Sequence, residues 1–377
     1  MKKYCFSVVC CIMISVIVCG CSSDLSLKDT IDFKSLPGYL DETVPGMITF
    51  LNPAVQIALV ENGEIIYEKA FGFADWKNKV PADTNTIFQV ASVSKSVTAW
   101  GLLALAESGL ISLDDSVQSH VKRWTLPDTR FDESGVTIRR AMSHCAGLNL
   151  HGYAGYHPDK NPLPSLEESL SGKSGSVEVK TIYKPGSKFS YSGGGYTFMQ
   201  LMMEEITPSG YCSYMNNAVL IPLGMNSSTF EYGEVDLSHL AKPYNVLGIE
   251  IPNYLFTEKA AAGLYTTAGD LARVLNEMYH LQFEPDYQGK IISQESYENF
   301  LTPLIQVDNT VFYGTGYCIR NLENGSAFIS HGGSNFGWQC TYGIDISSGR
   351  GLVVLTNSDN GTKIYDKIES VFLKSVQ

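Results

Sequence analysis

The chain has 377 residues, 44% hydrophobic and 18% charged, with 21 tyrosines and 17 phenylalanines. That composition can build a sizeable core and excludes a chain disordered in bulk. A formal net charge of −12 without any basic cluster argues against a nucleic-acid partner, and leaves fold and substrate open.

At the N-terminus, Lys2 and Lys3 precede an apolar run, Phe6 to Val18, too short and wrongly flanked for a spanning helix. It reads as a targeting signal. The stretch Val18-Cys19-Gly20-Cys21-Ser22-Ser23 resembles a bacterial lipoprotein signal. That resemblance implies cleavage before Cys21 and lipid on its sulfur. The product would be an exported protein held to a membrane of the bacterial cell envelope without spanning it, on the periplasmic side or at the outer membrane. Residues 1–20 are then the signal, 21–36 a polar tether and 37–377 one domain. Of nine cysteines, Cys145, Cys212, Cys318 and Cys340 lie beyond the signal and lipid site. No C-x-x-C occurs, and free thiols are expected.

Leu36 to Leu51 fits a first helix interrupted near Pro45-Gly46. Ala54–Glu61 and Glu64–Ala70 are two β-rich runs joined by Asn62-Gly63, the strongest short hairpin signal. Within Phe88 to Gly109, a helix apolar nearly all round, hence buried, opens at Ser92 to Lys95, with Gly109 as its left-handed stop. Helical patterns follow at Thr137–Met142, Tyr196–Ile206, Ser209–Ile221 and Thr267–Leu281, with a Gly-, Pro-, Ser- and Tyr-rich loop region over 145–190. Strands return at Val311–Arg320, Ala327–His331, Trp338–Asp345 and Gly351–Leu355, before a final helix from Thr362 to Leu373.

Strands at both ends with helices between them predict an α+β fold: an antiparallel sheet of about five strands built from both termini and flanked by helices. The long insertion is expected to form a second, mostly helical lobe, with a cleft between the two.

At the mouth of the buried helix stands Ser92-Val93-Ser94-Lys95. Positions i and i+3 share a helix face, so the Ser92 hydroxyl and the Lys95 amine are expected side by side. Most S-x-x-K matches are helix caps beside a solvated lysine, so the tetrad does not decide the matter alone. G-x-S-x-G and H-E-x-x-H are absent, and Glu167 stands where a P-loop ending at Gly172-Lys173-Ser174 would need glycine. His144, His151 and His157 are too loosely spaced to suggest a metal, and no cofactor is implied. Three other stretches stand out: Phe189–Tyr196 (FSYSGGGY), His331-Gly332-Gly333-Ser334, and Met142–Leu148 (MSHCAGL). Taken singly they read as a glycine turn with a packed aromatic, a glycine turn ending a strand, and a buried histidine capping a helix end.

Their order and spacing resemble the serine β-lactamase and penicillin-binding-protein superfamily, most closely its class C-like branch. S-x-x-K is followed about 100 residues on by Tyr191-Ser192, and about 140 beyond that by a polar residue with two glycines. Thr137–Leu148 (TIRRAMSHCAGL) resembles that family's TIRHLLSHTSGL, and Ala261–Arg273 and Val353–Asn357 resemble two further segments. The likeness covers roughly 37–375.

The resemblance implies a β-lactamase/transpeptidase-like fold, Ser92 as nucleophile, and Lys95 and Tyr191 sharing its proton. It also implies an oxyanion site from the N–H groups of Ser92 and Ser334, with His331, Gly332, Gly333 and Gly193 lining the substrate site. Two positions depart from the β-lactamase pattern. Gly193 replaces the asparagine of Y-x-N, and His331 replaces the lysine of K-T-G, being only partly charged at neutral pH. Both weaken recognition of a carboxylate beside an amide. The expected function is therefore a lipid-anchored serine hydrolase acting on a small-molecule ester, or on a small or cell-wall-derived peptide bearing a D-amino acid. The alternatives are a class C-type β-lactamase, a D-Ala-D-Ala carboxypeptidase, or a cell-wall-binding sensor that acylates without turnover.

Overall fold

The computed structural model describes residues 31–376; the signal and Cys21 lie outside them. In the stretch read as a tether, Phe33 and Leu36 are already buried, because they pack under the sheet. In chain order come α1 (Leu36–Thr43), β1 (Ala54–Glu61), β2 (Glu64–Asp75), β3 (Val80–Pro81), β4 (Phe88–Gln89) and α2 (Val93–Glu107). The helical insertion continues with α3 (Ile138–Met142), α4 (Leu166–Leu170), α5 (Gly193–Ile206), α6 (Gly210–Met215), α7 (Ile221–Leu223) and α8 (Lys259–Ala262). Then follow β5 (Tyr265–Thr266), α9 (Ala268–Phe283), α10 (Gln294–Leu301), β6 (Ile305–Gln306), β7 (Val311–Tyr313) and β8 (Cys318–Asn321). The chain ends with β9 (Ala327–Asn335), β10 (Trp338–Asp345), β11 (Arg350–Thr356) and α11 (Thr362–Ser375).

The main sheet has nine antiparallel strands in the order β3-β2-β1-β11-β10-β9-β8-β7-β6. Its five long central strands are the expected ones, and short strands extend both edges. The run Val311–Arg320, read as one strand, is broken into β7 and β8 by a turn at Gly316 (φ +91°). That turn presses against α2: a Cβ at Gly316 would lie 2.5 Å from Ala99 Cβ. The two ends of the chain meet mid-sheet, where Val55 pairs with Thr356 and Val60 with Gly351. At the β1–β2 turn, Asn62 and Gly63 both take positive φ (54° and 73°), as a tight hairpin requires.

Both sheet faces are covered, which is why β1 reads as a nearly unbroken apolar run. Val55, Ile57 and Leu59 pack with Leu40 of α1 and with Ile368 and Phe372 of α11. Ala58 and Val60 face the other way, into the core that holds Leu271, Leu275 and Met278 of α9. Gln56, fully buried on β1, donates to the Asp83 and Thr86 carbonyls (2.8 and 3.2 Å) and accepts from Ala268 N–H at 2.5 Å. It ties the sheet to the approach to α2 and to the start of α9, with its own amide donors and acceptor all paired.

Helix α2 is locked to the sheet by a buried chain of hydroxyls. Trp100 Nε1 donates to Tyr317 OH (2.9 Å), Tyr317 OH meets Tyr342 OH (2.9 Å), and Tyr342 OH meets Ser96 Oγ (2.7 Å). A helix pinned this way holds its first turn at a set height above β9 and β10. That turn carries the Ser–Lys pair.

Candidate active site

Leaving β4, the chain turns sharply at Ala91, whose φ of +47° is strained for a residue with a Cβ, and enters α2 at Ser92. Three serines lie in this turn, and two are spoken for. Ser94 Oγ donates to the Ala91 carbonyl (2.5 Å) and accepts from Leu264 N–H (2.9 Å), while Ser96 Oγ bonds Val93 and Tyr342. Ser92 caps nothing with its side chain and stays partly exposed.

One turn on, Lys95 is 2% exposed. Its Nζ donates to Ser92 Oγ at 3.1 Å and to the Ala261 carbonyl of α8 at 2.6 Å. It has no carboxylate partner among the described residues. Burial therefore pulls its pKa down to about 7.

Tyr191 sits just before α5. That helix starts earlier than the apolar pattern suggests, at Gly193, because Ser192 Oγ caps the Gly195 N–H (3.0 Å) while donating to the Asn149 carbonyl (2.5 Å). The Tyr191 hydroxyl is enclosed and has no hydrogen-bond partner among the described residues. Burial pushes its pKa well up, and the Ser92 hydroxyl nearby offsets part of that. The Lys95 nitrogen lies 5.1 Å from the Tyr191 ring centroid.

Two imidazoles stack on the Tyr191 ring: His144 at 4.0 Å and 32°, and His151 at 4.7 Å and 38°. Rings at those distances cannot share one face without overlapping, so they flank the tyrosine. His144 is 1% exposed, has φ +56°, and accepts the Ser192 N–H on Nδ1 at 3.1 Å. Its side chain thus holds the Tyr191–Ser192 backbone rather than capping the end of α3, as read from sequence. Burial first, then the Lys95 charge, sets its pKa well below the usual histidine range. With Nδ1 accepting, the proton is on Nε2.

His331 is also buried, with Nδ1 2.6 Å from the Gly332 carbonyl, which makes Nδ1 the protonated nitrogen. Burial, helped by Lys95, lowers its pKa to about 3. This corrects the expectation of partial charge at neutral pH: His331 is neutral there, because solvent does not reach it.

Residues 331–334, read from sequence as a glycine turn ending a strand, lie within β9, because the strand stays paired with β10 as far as Asn335 and so passes beside the nucleophile. A Cβ at Gly333 would lie 2.2 Å from the Val90 carbonyl, so glycine is required for β9 to touch the turn before Ser92. Gly332 has no such constraint; its nearest neighbour would be 3.5 Å away. Asn335 and Trp338 pair across the two-residue turn Phe336-Gly337, which makes Ser334–Gln339 a pair without mutual backbone hydrogen bonds. The Ser334 N–H therefore points away from β10, past the end of β8, whose pairing with β9 stops at Ser330. The Ser334 hydroxyl accepts from Gln339 Nε2 (2.8 Å) and is engaged elsewhere.

Ser92, Lys95 and Tyr191 are thus brought together, with His331 and Gly333 beside them. Gly193 lies at the first turn of α5, against the loop that carries His151. The contributions of His144, His151 and the Ala261 carbonyl were missed, since they depend on contacts 40 to 166 residues apart in sequence. Among the described residues no group of three His, Cys, Asp or Glu side chains is placed to hold a metal ion. A cavity of about 650 Å³ lined by Trp76, Lys77, Tyr244 and 248–252 includes no member of the site. It offers no nucleophile–base pair, and chemistry places the site at Ser92. Among the described residues, Cys145, Cys212, Cys318 and Cys340 form no disulfide.

Residues 48–370 match the family model described as Beta-lactamase. The chain is 25% identical over 325 residues to "Penicillin-binding protein 4*" of Bacillus subtilis (strain 168), covering 83% of this chain and 70% of that one. It is 25% identical over 311 residues to "Protein flp" of Staphylococcus aureus (strain NCTC 8325 / PS 47), covering 81% of this chain but only 59% of the relative. The octameric penicillin-binding protein homologue from Pyrococcus abyssi superposes with a TM-score of 0.75 at 27% identity, over 91% of this chain and 77% of that one. A D-amino acid amidase from Ochrobactrum anthropi SV3, complexed with L-phenylalanine amide, shares the fold at a TM-score of 0.72 and 20% identity, over 91% and 99%.

Proposed function

The chain belongs to the Beta-lactamase family of serine hydrolases, and from that premise we propose that it forms an acyl-Ser92 intermediate with an ester or a small amide or peptide bearing a D-amino acid. One observation carries this reading. Lys95, buried and with its pKa pulled down to about 7, stands 3.1 Å from a serine hydroxyl that has no structural task.

In the proposed reaction the Lys95 amine takes the Ser92 proton as Oγ attacks the substrate carbonyl carbon. The N–H groups of Ser92 and Ser334 receive the developing oxyanion, the first aided by the N-terminus of α2. As the carbon–leaving-group bond breaks, the Tyr191 hydroxyl donates its proton to the leaving group and is resupplied from Lys95. Tyr191 suits a donor better than a base, because its enclosed hydroxyl resists ionisation. Water, or another acceptor, then attacks the acyl carbon, and Ser92 leaves with a proton.

A neutral, buried His331 and a side-chain-free Gly193 disfavour recognition of a β-lactam carboxylate and amide. Because a D-amino acid amidase shares this fold, D-aminoacyl amides are tested beside the carboxypeptidase and β-lactamase alternatives. The lipoprotein-like stretch ending at Cys21 supports attachment to the bacterial envelope membrane. The test is a fluorophosphonate probe with a panel of nitrophenyl esters, D-aminoacyl amides and a chromogenic cephalosporin. Wild type labels and turns over esters or D-aminoacyl amides, whereas Ser92→Ala does neither. Equal labelling of both proteins refutes the nucleophile, and labelling that persists without product identifies a non-turnover sensor.

A further inference from the structure

Phe50, Val246, Leu247 and Ile249 are each half exposed or more, and they stand on two loops that touch. A Cβ at Gly248, whose φ is +71°, would lie 2.5 Å from the Phe50 carbonyl, so glycine is what lets the loops meet. Asn245 Oδ1 accepts the Leu247 and Ile249 N–H groups (2.9 and 3.1 Å). Asn360 Nδ2 donates to the Val246 and Leu51 carbonyls (3.0 and 3.3 Å). The N–H groups of Asn245 and Gly248 pair within the loop as well. This knob offers apolar surface on a fixed backbone whose polar groups are already paired, so it leaves water at little cost.

Its surroundings point to one kind of occupant. Ile249 and Ile251 share the wall of the 650 Å³ cavity with Trp76 and Tyr244, and the Tyr244 hydroxyl accepts the Trp76 N–H at 2.9 Å. Lys77, Lys79 and Lys242 are exposed around these rings, with Glu250 as the acid in the cavity wall. Lys79 Nζ lies 3.8 Å from the Trp76 ring, and the Lys242 N–H donates to the Ala74 carbonyl at 2.8 Å. Apolar side chains beside an indole, a phenol and lysines, in a chain of net charge −12, match the boundary of an anionic bilayer. The course of the chain fits this. α1 and the 3-10 turn Val44–Met47 lead towards Phe50 with an advance of at most roughly 20 Å. The chain from Cys21 to Ile31 extends to at most about 36 Å, so a lipid on Cys21 and the knob can meet the same membrane.

We propose that Phe50, Val246, Leu247 and Ile249 dock the domain on the surface of an anionic lipid bilayer, with Trp76 at the level of the headgroups. The proposal rests on the lipid attachment at Cys21 read above and adds a second contact, which fixes how the domain lies. The β9–β10 turn abuts the knob's loop, since a Cβ at Gly337 would lie 2.4 Å from Pro243 Cβ. Phe336 in that turn is exposed, and its ring centroid lies 5.8 Å from that of Tyr254. The turn begins two residues after Ser334, so docking sets the mouth of the site beside the membrane.

The experiment uses the full chain, expressed in bacteria, purified in detergent and reconstituted into vesicles. These contain phosphatidylethanolamine, phosphatidylglycerol and phosphatidylcholine, the last with or without bromine on its acyl chains. Bromine quenches a tryptophan that it touches, and Trp76 is partly exposed whereas Trp100, Trp124 and Trp338 are buried. The expected result is quenching in wild type that disappears in Trp76→Phe. It should fall about threefold or more in Leu247→Ser/Ile249→Ser and in Phe50→Ser. Fluorophosphonate labelling at the wild-type rate shows that these variants are folded. No quenching in wild type, or equal quenching in the loop variants, overturns the docking. So does a dimer in detergent that Leu247→Ser/Ile249→Ser dissolves while no quenching is seen, which makes a second copy the occupant. The mass of the mature chain separates the two readings. Lipid on Cys21 without quenching removes the docking alone, whereas an unmodified chain removes the attachment and the docking with it.

Discussion

Lys95 Nζ lies 3.1 Å from Ser92 Oγ, on the same face of a buried helix, with no carboxylate partner among the described residues. Burial is the cause of its lowered pKa, and it has two consequences. In the folded state the amine loses its proton near pH 7, and in the unfolded state near 10.5. Acylation should therefore rise with pH through about 7 and level off above it. The rate of fluorophosphonate labelling between pH 5.5 and 9 measures this, and a flat profile contradicts it. The same shift makes the unfolded chain bind more protons between the two pKa values, so Lys95 weakens the fold most at and below pH 7. Lys95→Met should abolish labelling and raise unfolding free energy at pH 7 by roughly 1–3 kcal/mol in denaturant titration.

Tyr191 divides substrates by leaving group. A nitrophenolate departs without a proton, whereas an amine needs one. Tyr191→Phe should cut kcat/KM for a D-aminoacyl amide by about 10²–10⁴-fold. Its effect on the matching nitrophenyl ester should be much smaller. Equal losses on both substrates would remove the relay role.

Acid should loosen the site before it loosens the rest of the fold. His144, His151 and His331 all have folded pKa values below 6.5, chiefly through burial. As pH falls below 6.5 the unfolded chain takes up protons that the folded chain refuses, so stability falls. His331, with a folded pKa of about 3, should account for about 2–3 kcal/mol of loss between pH 7 and 4.5. Denaturant melts of wild type and His331→Gln at those two pH values test this, and the variant should lose distinctly less.

The two glycines after His331 should behave differently. Gly333→Ala would push a methyl to 2.2 Å from the Val90 carbonyl and force β9 away from the nucleophile turn. It should cost about 1–3 kcal/mol and slow acylation. Gly332→Ala meets nothing closer than 3.5 Å and should melt like wild type. Similar melting of both variants would place the close approach elsewhere.

Much of this was legible beforehand. The Asn62-Gly63 hairpin, the buried helix ending at Gly109 and the long C-terminal strands follow from turn chemistry and periodicity, which act over a few residues. The edge strands did not. β3 and β6 span only two residues each, too short for any alternation to show, and the single run read over β7 and β8 hid the turn at Gly316. The start of α5 was hidden by three glycines that favour a loop until Ser192 caps them.

The amino-acid sequence by itself determined that Ser92 and Lys95 share a helix face, because a 3.6-residue turn puts i and i+3 together whatever surrounds them. Order and spacing were enough to single out Tyr191 and His331–Ser334. Only the tertiary structure decided their electrical states and neighbours. Lys95 loses its proton far more readily than a free lysine, and His331 is neutral, because burial removes the water that would stabilise their charges, and burial is a property of the packed chain. Gly193 is crowded by a loop some forty residues earlier in the chain, and Tyr191 is flanked by two histidines that no local pattern connects to it.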